Sequence, residues 1–352
     1  AGGSLTHALN RSLAWFEKPS TRQHFPIAGV THGHARASIR AFGQILESSA
    51  SASQFKHRFF EEFDVYTSVG WDGSGMVLFT GYFSPVFAAS WQRTNEYRYP
   101  LYQRPPDLVT DPQTGKTLGR RVGNLTISYP RRAKIEQERI LEGQELVWLK
   151  DKLDAYLIQV NGSAKVILTD GNPLFVGYAG NNGHEYTSIG KLLVDDGKID
   201  RGRISLKTIR QFFGQHPGQT DHYLQQNERF VFFQQYPSAQ WPAGSLGFKV
   251  TPFRSLATDK DVFPRACVTM VQTRLPQTGG AKRNFEQFML DQDTGGAIRA
   301  AGRADIYMGV GPKAEQLAGQ QAEEGRLYYF FLKPGRLEDW TDGPAPPVAA
   351  VQ

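Results

Sequence analysis

Apolar residues recur at helical spacing from His34 to Phe63: Ile39, Phe42 and Ile45-Leu46, then Phe55, Phe59-Phe60 and Phe63. That period predicts helix. After Gly73-Ser74-Gly75 the pattern changes. Met76-Val77-Leu78-Phe79 is a short continuous apolar run, as in a buried strand, and leads into Thr80-Gly81-Tyr82-Phe83-Ser84-Pro85. Residues 99–112 are Pro-rich and read as a connection between domains. From about Leu118 to Ser238 the signals mix. Asp151 to Val160 is amphipathic, Asn161-Gly162 turns the chain, and Lys165-Val166-Ile167-Leu168 reads as a strand. Ile189, Leu192 and Leu193 form one helical stripe, and Leu206, Ile209, Phe212 and Phe213 another, both expected to pack into a core. Beyond Pro242 the strand pattern returns at Ala266 to Thr273, Phe285 to Leu290, Asp305 to Met308 and Leu327 to Leu332. The order is β-containing, mixed, β-containing, which suggests one domain interrupted by another.

At 352 residues the chain is long enough for two domains. Thirty-six Gly and 20 Pro favour many turns and a β-rich architecture. No run of about 18 apolar residues occurs, so no membrane-spanning helix is expected. Ala1 to Leu13 lacks a charged segment followed by an apolar one, so any signal peptide is expected to have been removed already. The net charge of +6 favours polyanionic partners without separating nucleic acid from a carboxylate-bearing cell wall. Its densest patches, Arg120-Arg121 and Arg131-Arg132-Ala133-Lys134, read as a solvated face. The single cysteine, Cys267, excludes an internal disulfide and a Cys-rich zinc site, and its strand context makes it a buried small hydrophobe.

The chemistry concentrates near the C-terminal end. Asp291, Asp293 and Asp305 fall within a short span, and glycoside cleavage needs a carboxylic acid to protonate the leaving oxygen. Asp305 is followed by Ile306-Tyr307-Met308, so burial would raise its pKa and keep its proton available. Asp293 opens Thr294-Gly295-Gly296, where a carboxylate commonly bonds its own turn. A surface carboxylate at a strand end is the plain alternative for Asp305. Gly309-Val310-Gly311-Pro312-Lys313-Ala314 has the outline of a dinucleotide loop, but no acid ends the next strand and too little chain follows for a doubly wound sheet. His32-Gly33-His34 reads as solvent-facing loop histidines rather than a metal pair. No G-x-S-x-G element is present, which argues against a serine hydrolase. Residues 177–186 set Asn amides and Tyr faces among glycines, groups that satisfy sugar hydroxyls and cover apolar sugar faces. A turn-rich loop with aromatic anchors explains that segment equally well.

Four segments, in order, resemble the MltA family of membrane-bound lytic murein transglycosylases. They are Thr80-Gly81-Tyr82-Phe83-Ser84-Pro85 with Tyr99-Pro100-Leu101-Tyr102; Gln159-Val160-Asn161-Gly162-Ser163; Tyr178-Ala179-Gly180-Asn181-Asn182-Gly183-His184 continuing to Lys191; and Asp293 to Ile298 with Ala304 to Gly309. The family usually has Gln-Gly-Ser where this chain has Asn161-Gly162-Ser163, and the family's lipid-bearing N-terminal cysteine is absent here.

The resemblance implies a mainly β fold with helices, a double-psi β-barrel domain from residues 1–103 and 244–340, interrupted by a β-rich domain at 104–243. Residues 341–352 would be a loose tail, and a substrate groove would lie between the domains. It implies Asp305 as the catalytic aspartate with Asp293 beside it. Substrate contacts would come from Ser84, Gln159, Gly162, Ser163, Tyr178, Gly180, Asn181, Asn182 and Tyr186, with no metal and no cofactor. The implied substrate is the β-1,4 bond between N-acetylmuramic acid and N-acetylglucosamine, cut to leave 1,6-anhydromuramoyl ends. The implied place is the periplasm, with outer-membrane association in the full-length protein. Expected partners are peptidoglycan strands and wall-synthesis or wall-remodelling proteins, not nucleic acid. An ordinary peptidoglycan hydrolase with Asp293 activating water, and a non-catalytic wall-binding protein, are the rival readings.

Overall fold

The computed structural model describes residues 2–112, 114–277 and 281–341, so all but the first residue of the tail expected at 341–352 lies outside the described residues. Two compact units emerge. The first is Ala1–Tyr82, Ala243–Gly309 and Gln321–Gln352; the second is Phe83–Pro242 with Val310–Gln320.

The first unit begins with helices α1 (Gly2–Phe16), α2 (His32–Ser48) and α3 (Ala52–Glu62), then strands β1 (Phe63–Thr67) and β2 (Val77–Ser84). The helical period read from His34 to Phe63 is thus two helices. They part at Ser49-Ala50-Ser51, where the Ser51 hydroxyl accepts the Gln54 N–H at 3.1 Å and caps α3. The phenylalanine stripe does what its spacing predicts. Phe42 packs edge-on against Phe288 at 5.0 Å, and Phe59 lies 4.9 Å from Phe63 and 5.0 Å from Phe330. Truncating Phe59, which is 3 % exposed, to Ala would cost roughly 3–5 kcal/mol.

The second unit holds β3 (Val86–Ser90), β4 (Tyr99–Tyr102), β5 (Leu108–Thr110), β6 (Thr117–Val122) and β7 (Leu125–Ile127). Then come α4 (Arg132–Gln137), β8 (Glu145–Leu149), α5 (Lys152–Asn161), β9 (Ser163–Leu168) and β10 (Pro173–Asn181). Helices α6 (Ile189–Asp195), α7 (Leu206–Gln215) and α8 (Thr220–Gln226) precede β11 (Val231–Gln235). Six strands form one sheet in the order β11-β10-β9-β3-β8-β4, and β5, β6 and β7 make a second. The stripes of α6 and α7 meet α5 and α8 in a core of Leu157, Ile189, Leu193, Phe212 and Tyr223.

The chain crosses between units at Tyr82/Phe83, not at residue 103. Strands β3 and β4 explain this: both pair with β8, and β3 also with β9. The Pro-rich stretch is therefore paired structure rather than a linker, with Pro100 inside β4 and residues 108–110 inside β5.

The first unit resumes with β12 (Ser255–Ala257), β13 (Val268–Pro276), β14 (Lys282–Asp293) and β15 (Arg303–Val310). Helix α9 (Pro312–Gln320) belongs to the second unit, where Glu315 lies 3.6 Å from Arg210. Strand β16 (Ala322–Leu332) completes the first unit. Six strands run β16-β13-β14-β12-β15-β2, and β2 pairs back onto β16 through Thr80↔Ala322 to Val77↔Gly325, closing a barrel. Strand β12 is parallel to β14 and antiparallel to β15. Cys267, 1 % exposed at the start of β13, is the buried hydrophobe its context predicts.

Candidate active site

Ala257 on β12 pairs with Asp293 on β14 on one side and with Asp305 on β15 on the other. Paired residues on neighbouring strands project to the same face of a sheet. The two aspartates therefore share a face, one strand apart. Asp305 follows Ala304 and precedes Ile306, Tyr307 and Met308, all buried, while its own side chain keeps 18 % exposure. A carboxyl held by apolar backbone yet open on one side is what a proton donor requires.

Thr80 on β2 donates a hydrogen bond from its hydroxyl to Asp305 Oδ1, and Arg303 Nη2 donates to the same hydroxyl at 3.1 Å. Arg303 is 3.7 Å from Asp305 Oδ1, outside hydrogen-bond range. Its Nε is buried with no hydrogen-bond partner among the described residues. Burial pushes the Asp305 carboxyl above the usual aspartate range; Thr80 and then the Arg303 charge pull it down, and the Asp293 charge pushes it up. Burial is the largest cause and the net shift is upward, opposed by Thr80 and by the 3.7 Å ion pair with Arg303.

Asp293 makes more bonds. Oδ2 accepts from Tyr82 Oη at 2.8 Å, and Oδ1 accepts the N–H groups of Ser245 and Thr294, each at 2.8 Å. The Thr294 bond reaches only the next residue, one short of the two-residue span of the turn expected of an Asp before Thr-Gly-Gly. Gly244 allows the approach: a Cβ there would stand 2.9 Å from the Gln292 carbonyl and 3.1 Å from Asp293 Cγ. Burial raises the Asp293 pKa as well, against the opposing pull of Ser245, Tyr82, Thr294 and Lys260. Asp291 is engaged elsewhere. Wholly buried, it accepts from Lys260 Nζ, from Thr258 Oγ1 at 2.7 Å and from Tyr329 Oη at 2.8 Å.

In the second unit the residues expected to bind substrate divide. Ser84 and Ser163 come together, with hydroxyls 3.4 Å apart. Gly162 ends α5 in left-handed backbone at φ 72°, which sets Ser163 at the start of β9. Gly180 lies at a bulge in β10 with φ 149°. Tyr178 is exposed, and its hydroxyl accepts from Asn181 Nδ2 at 2.5 Å. Asn181 Oδ1 in turn accepts the Gly183 N–H at 2.7 Å, and the other amides are likewise spent on the fold. Asn182 accepts from Phe230 N–H at 2.8 Å and donates to Pro130 and Glu228 carbonyls at 3.0 and 2.8 Å. Gln159 Oε1 accepts from Arg132 Nη2 at 2.9 Å and from Val231 N–H at 3.2 Å. Tyr186 is partly buried near Arg132 and Tyr156.

Arg132 departs furthest from expectation. The basic run at 131–134 reads as a solvated face, yet Arg132 is 2 % exposed. Its guanidinium lies 4.9 Å from both the Tyr156 and Phe230 ring centres and donates to Asn227 and Arg229 carbonyls. His32 and His34 sit in α2, not a loop: His32 Nε2 is 2.8 Å from Thr21 Oγ1 and His34 Nε2 is 2.8 Å from the Leu332 carbonyl.

Thr80, Tyr82 and Arg303 are the site residues that composition did not single out. Period-two spacing on β2 was the available signal, since Thr80 and Tyr82 must face one way.

Two family models match the chain, an MltA-specific insert domain over residues 78–234 and a 3D domain over 254–331. Membrane-bound lytic murein transglycosylase A of Escherichia coli (strain K12) is 32 % identical over 277 residues, covering 77 % of this chain and 70 % of that protein. A membrane-bound lytic murein transglycosylase from Agrobacterium tumefaciens superimposes with a TM-score of 0.79 at 25 % identity, over 96 % of this chain and 94 % of that one. E. coli MltA with bound chitohexaose gives a TM-score of 0.73 at 26 % identity, over 94 % and 90 %.

Proposed function

This chain belongs to the MltA family, and on that premise we propose that it is a lytic murein transglycosylase with Asp305 as its acid and base. The observation that carries the assignment is geometric: a carboxyl on a buried strand, 18 % exposed at its side chain, bonded to Thr80 and one strand from Asp293, where burial favours its protonated form. Protonated Asp305 gives its proton to the glycosidic oxygen between N-acetylmuramic acid and N-acetylglucosamine as the C1–O bond breaks. The muramoyl C6 hydroxyl attacks C1, and its proton passes to the Asp305 carboxylate. A 1,6-anhydro ring forms, no water is consumed and the enzyme regains its proton. An internal nucleophile removes the need for the second carboxylate of ordinary glycosidases.

Asp293, fixed by Tyr82 and two backbone N–H groups, orients the site and supports the neutral form of Asp305 through its charge. Ser84, Ser163 and Tyr178 are the second unit's contacts to glycan, Asn181 positions the Tyr178 hydroxyl, and Gly162 and Gly180 shape the backbone there. Gln159 and Asn182 serve by holding that backbone. We read the closed ring with its parallel β12–β14 pair as a double-psi barrel. The place of action is the periplasm, in keeping with relatives named membrane-bound.

Mass spectrometry of digested sacculi tests the reading. Anhydromuramoyl ends are expected. Reducing ends would show hydrolysis with Asp293 activating water, and saturable binding without soluble muropeptides would show a wall-binding protein.

A further inference from the structure

The second unit contains a cavity of about 330 Å³ whose lining includes Tyr102, Arg132, Glu142 and Trp148 but none of Ser84, Ser163, Tyr178 or Asn181. The volume suits a small ligand. Its buried face is fixed. Arg132 lies between Tyr156 and Phe230 and spends its donors on Asn227, Gln159 and Arg229. Glu136 is likewise engaged, 2.9 Å from Lys152 Nζ.

Glu145 accepts the Gly143 N–H at 3.0 Å, and Arg98 lies over the Tyr99 ring at 5.7 Å; three other charges are unengaged. Glu142, Arg93 and Arg139 are exposed, line the cavity and have no side-chain hydrogen bond or ion pair among the described residues. Tyr102 is partly buried, and its hydroxyl has no hydrogen-bond partner among those residues either. Burial, then the charges of Glu145, Glu136 and Glu142, push that phenol up to about 12. The Arg139 charge acts on the same hydroxyl in the opposite sense. Arg139 also holds left-handed backbone at φ 51°, a conformation uncommon outside glycine and found at ligand clamps.

A neutral sugar would leave both signs of charge uncompensated. A ligand with an ammonium and a carboxylate answers both: carboxylates pair with the arginine fork, and an ammonium is drawn to carboxylate and to an aromatic face such as Trp148. We infer that this cavity binds a short zwitterionic peptide, its ammonium at Glu142 and Tyr102 and its carboxylate at Arg93 and Arg139. The site is independent of the cleavage chemistry assigned to Asp305.

The test is calorimetric titration of the full chain with Ala-Ala-Ala bearing free termini, beside its N-acetyl form, its C-terminal amide and chitotetraose. The free tripeptide should bind in the micromolar to millimolar range, and each cap should weaken binding by about tenfold or more. Glu142→Gln should erase the penalty for N-acetylation, Arg139→Gln the penalty for amidation, and Asp305→Asn should change neither. Both Glu142 and Arg139 are exposed, so neither change threatens folding. Equal binding of capped and free peptides overturns the inference. So do competition by chitotetraose, insensitivity to both cavity variants, and absence of saturable peptide binding.

Discussion

Tyr82 Oη donates a 2.8 Å hydrogen bond to Asp293 Oδ2, joining β2 to the end of β14. Two residues earlier on the same strand, Thr80 donates to Asp305. Alternate positions of β2 thus each hold one of the two aspartates. The barrel's closing strand is also the strand that organises its carboxyls.

Asp305→Asn should lower muropeptide release by about 10²- to 10⁴-fold, the usual contribution of a positioned acid. It should also stabilise the protein at neutral pH. A carboxyl whose pKa is raised by folding binds its proton more tightly in the native state. Its contribution to stability is complete below the unfolded pKa and is lost as pH rises through the folded value. The uncharged amide avoids that loss. Thermal melts should show a gain at pH 7 that vanishes near pH 3.

Thr80→Val removes a donor that favours the ionised form of Asp305. The pKa should rise, so the alkaline limb of the kcat profile should move up by about one to two pH units, given that a hydrogen bond to a charge contributes about 1.5–3 kcal/mol. An unmoved or acid-shifted limb in the pH–rate profile contradicts the role given to Thr80.

Tyr82→Phe leaves Asp293 with its two backbone donors and no phenol. Turnover should fall about three- to tenfold and stability by about 1 kcal/mol, the contribution of one hydrogen bond. Steady-state kinetics on sacculi and urea unfolding read the two effects separately. Loss as deep as that of Asp305→Asn would make Tyr82 part of the chemistry instead.

Lys260→Met should be among the most destabilising single changes. Lys260 is 6 % exposed, its pKa is lowered by burial, and it pairs with the wholly buried Asp291. Removing one partner strands the other charge at a cost of roughly 3–5 kcal/mol. Adding Asp291→Leu should restore part of that loss in urea unfolding, even though Thr258 and Tyr329 then lose their acceptor.

Much of this organisation is legible in the chain itself. The phenylalanines at 42, 55, 59 and 63 repeat at helical spacing because one face must meet the barrel, and Asp305 is conspicuous because apolar residues follow it. What stays hidden depends on partners distant in sequence. Gln159 and Asn182 have the amides a sugar site uses, but nothing local reveals that Arg132, Val231, Phe230 and Glu228 occupy them. Arg132 looks solvated because its neighbours are; its burial depends on Tyr156 and Phe230. The position of the first domain crossing was hidden for the same reason, since prolines at 100 and 105 resemble a linker until β8 is seen beside β4.

The union of β2 with β16 carries a further consequence for how the chain matures. These partners are separated by the whole second unit, so during synthesis β2 emerges long before β15 and β16 and must wait with bare peptide groups along both margins. Loop-closure entropy delays that last pairing, and non-local pairing of this kind is slow. A nascent or truncated chain that stops short of Ala322 presents unpaired margins on β2 and β13 together, a template for self-association that full-length synthesis removes.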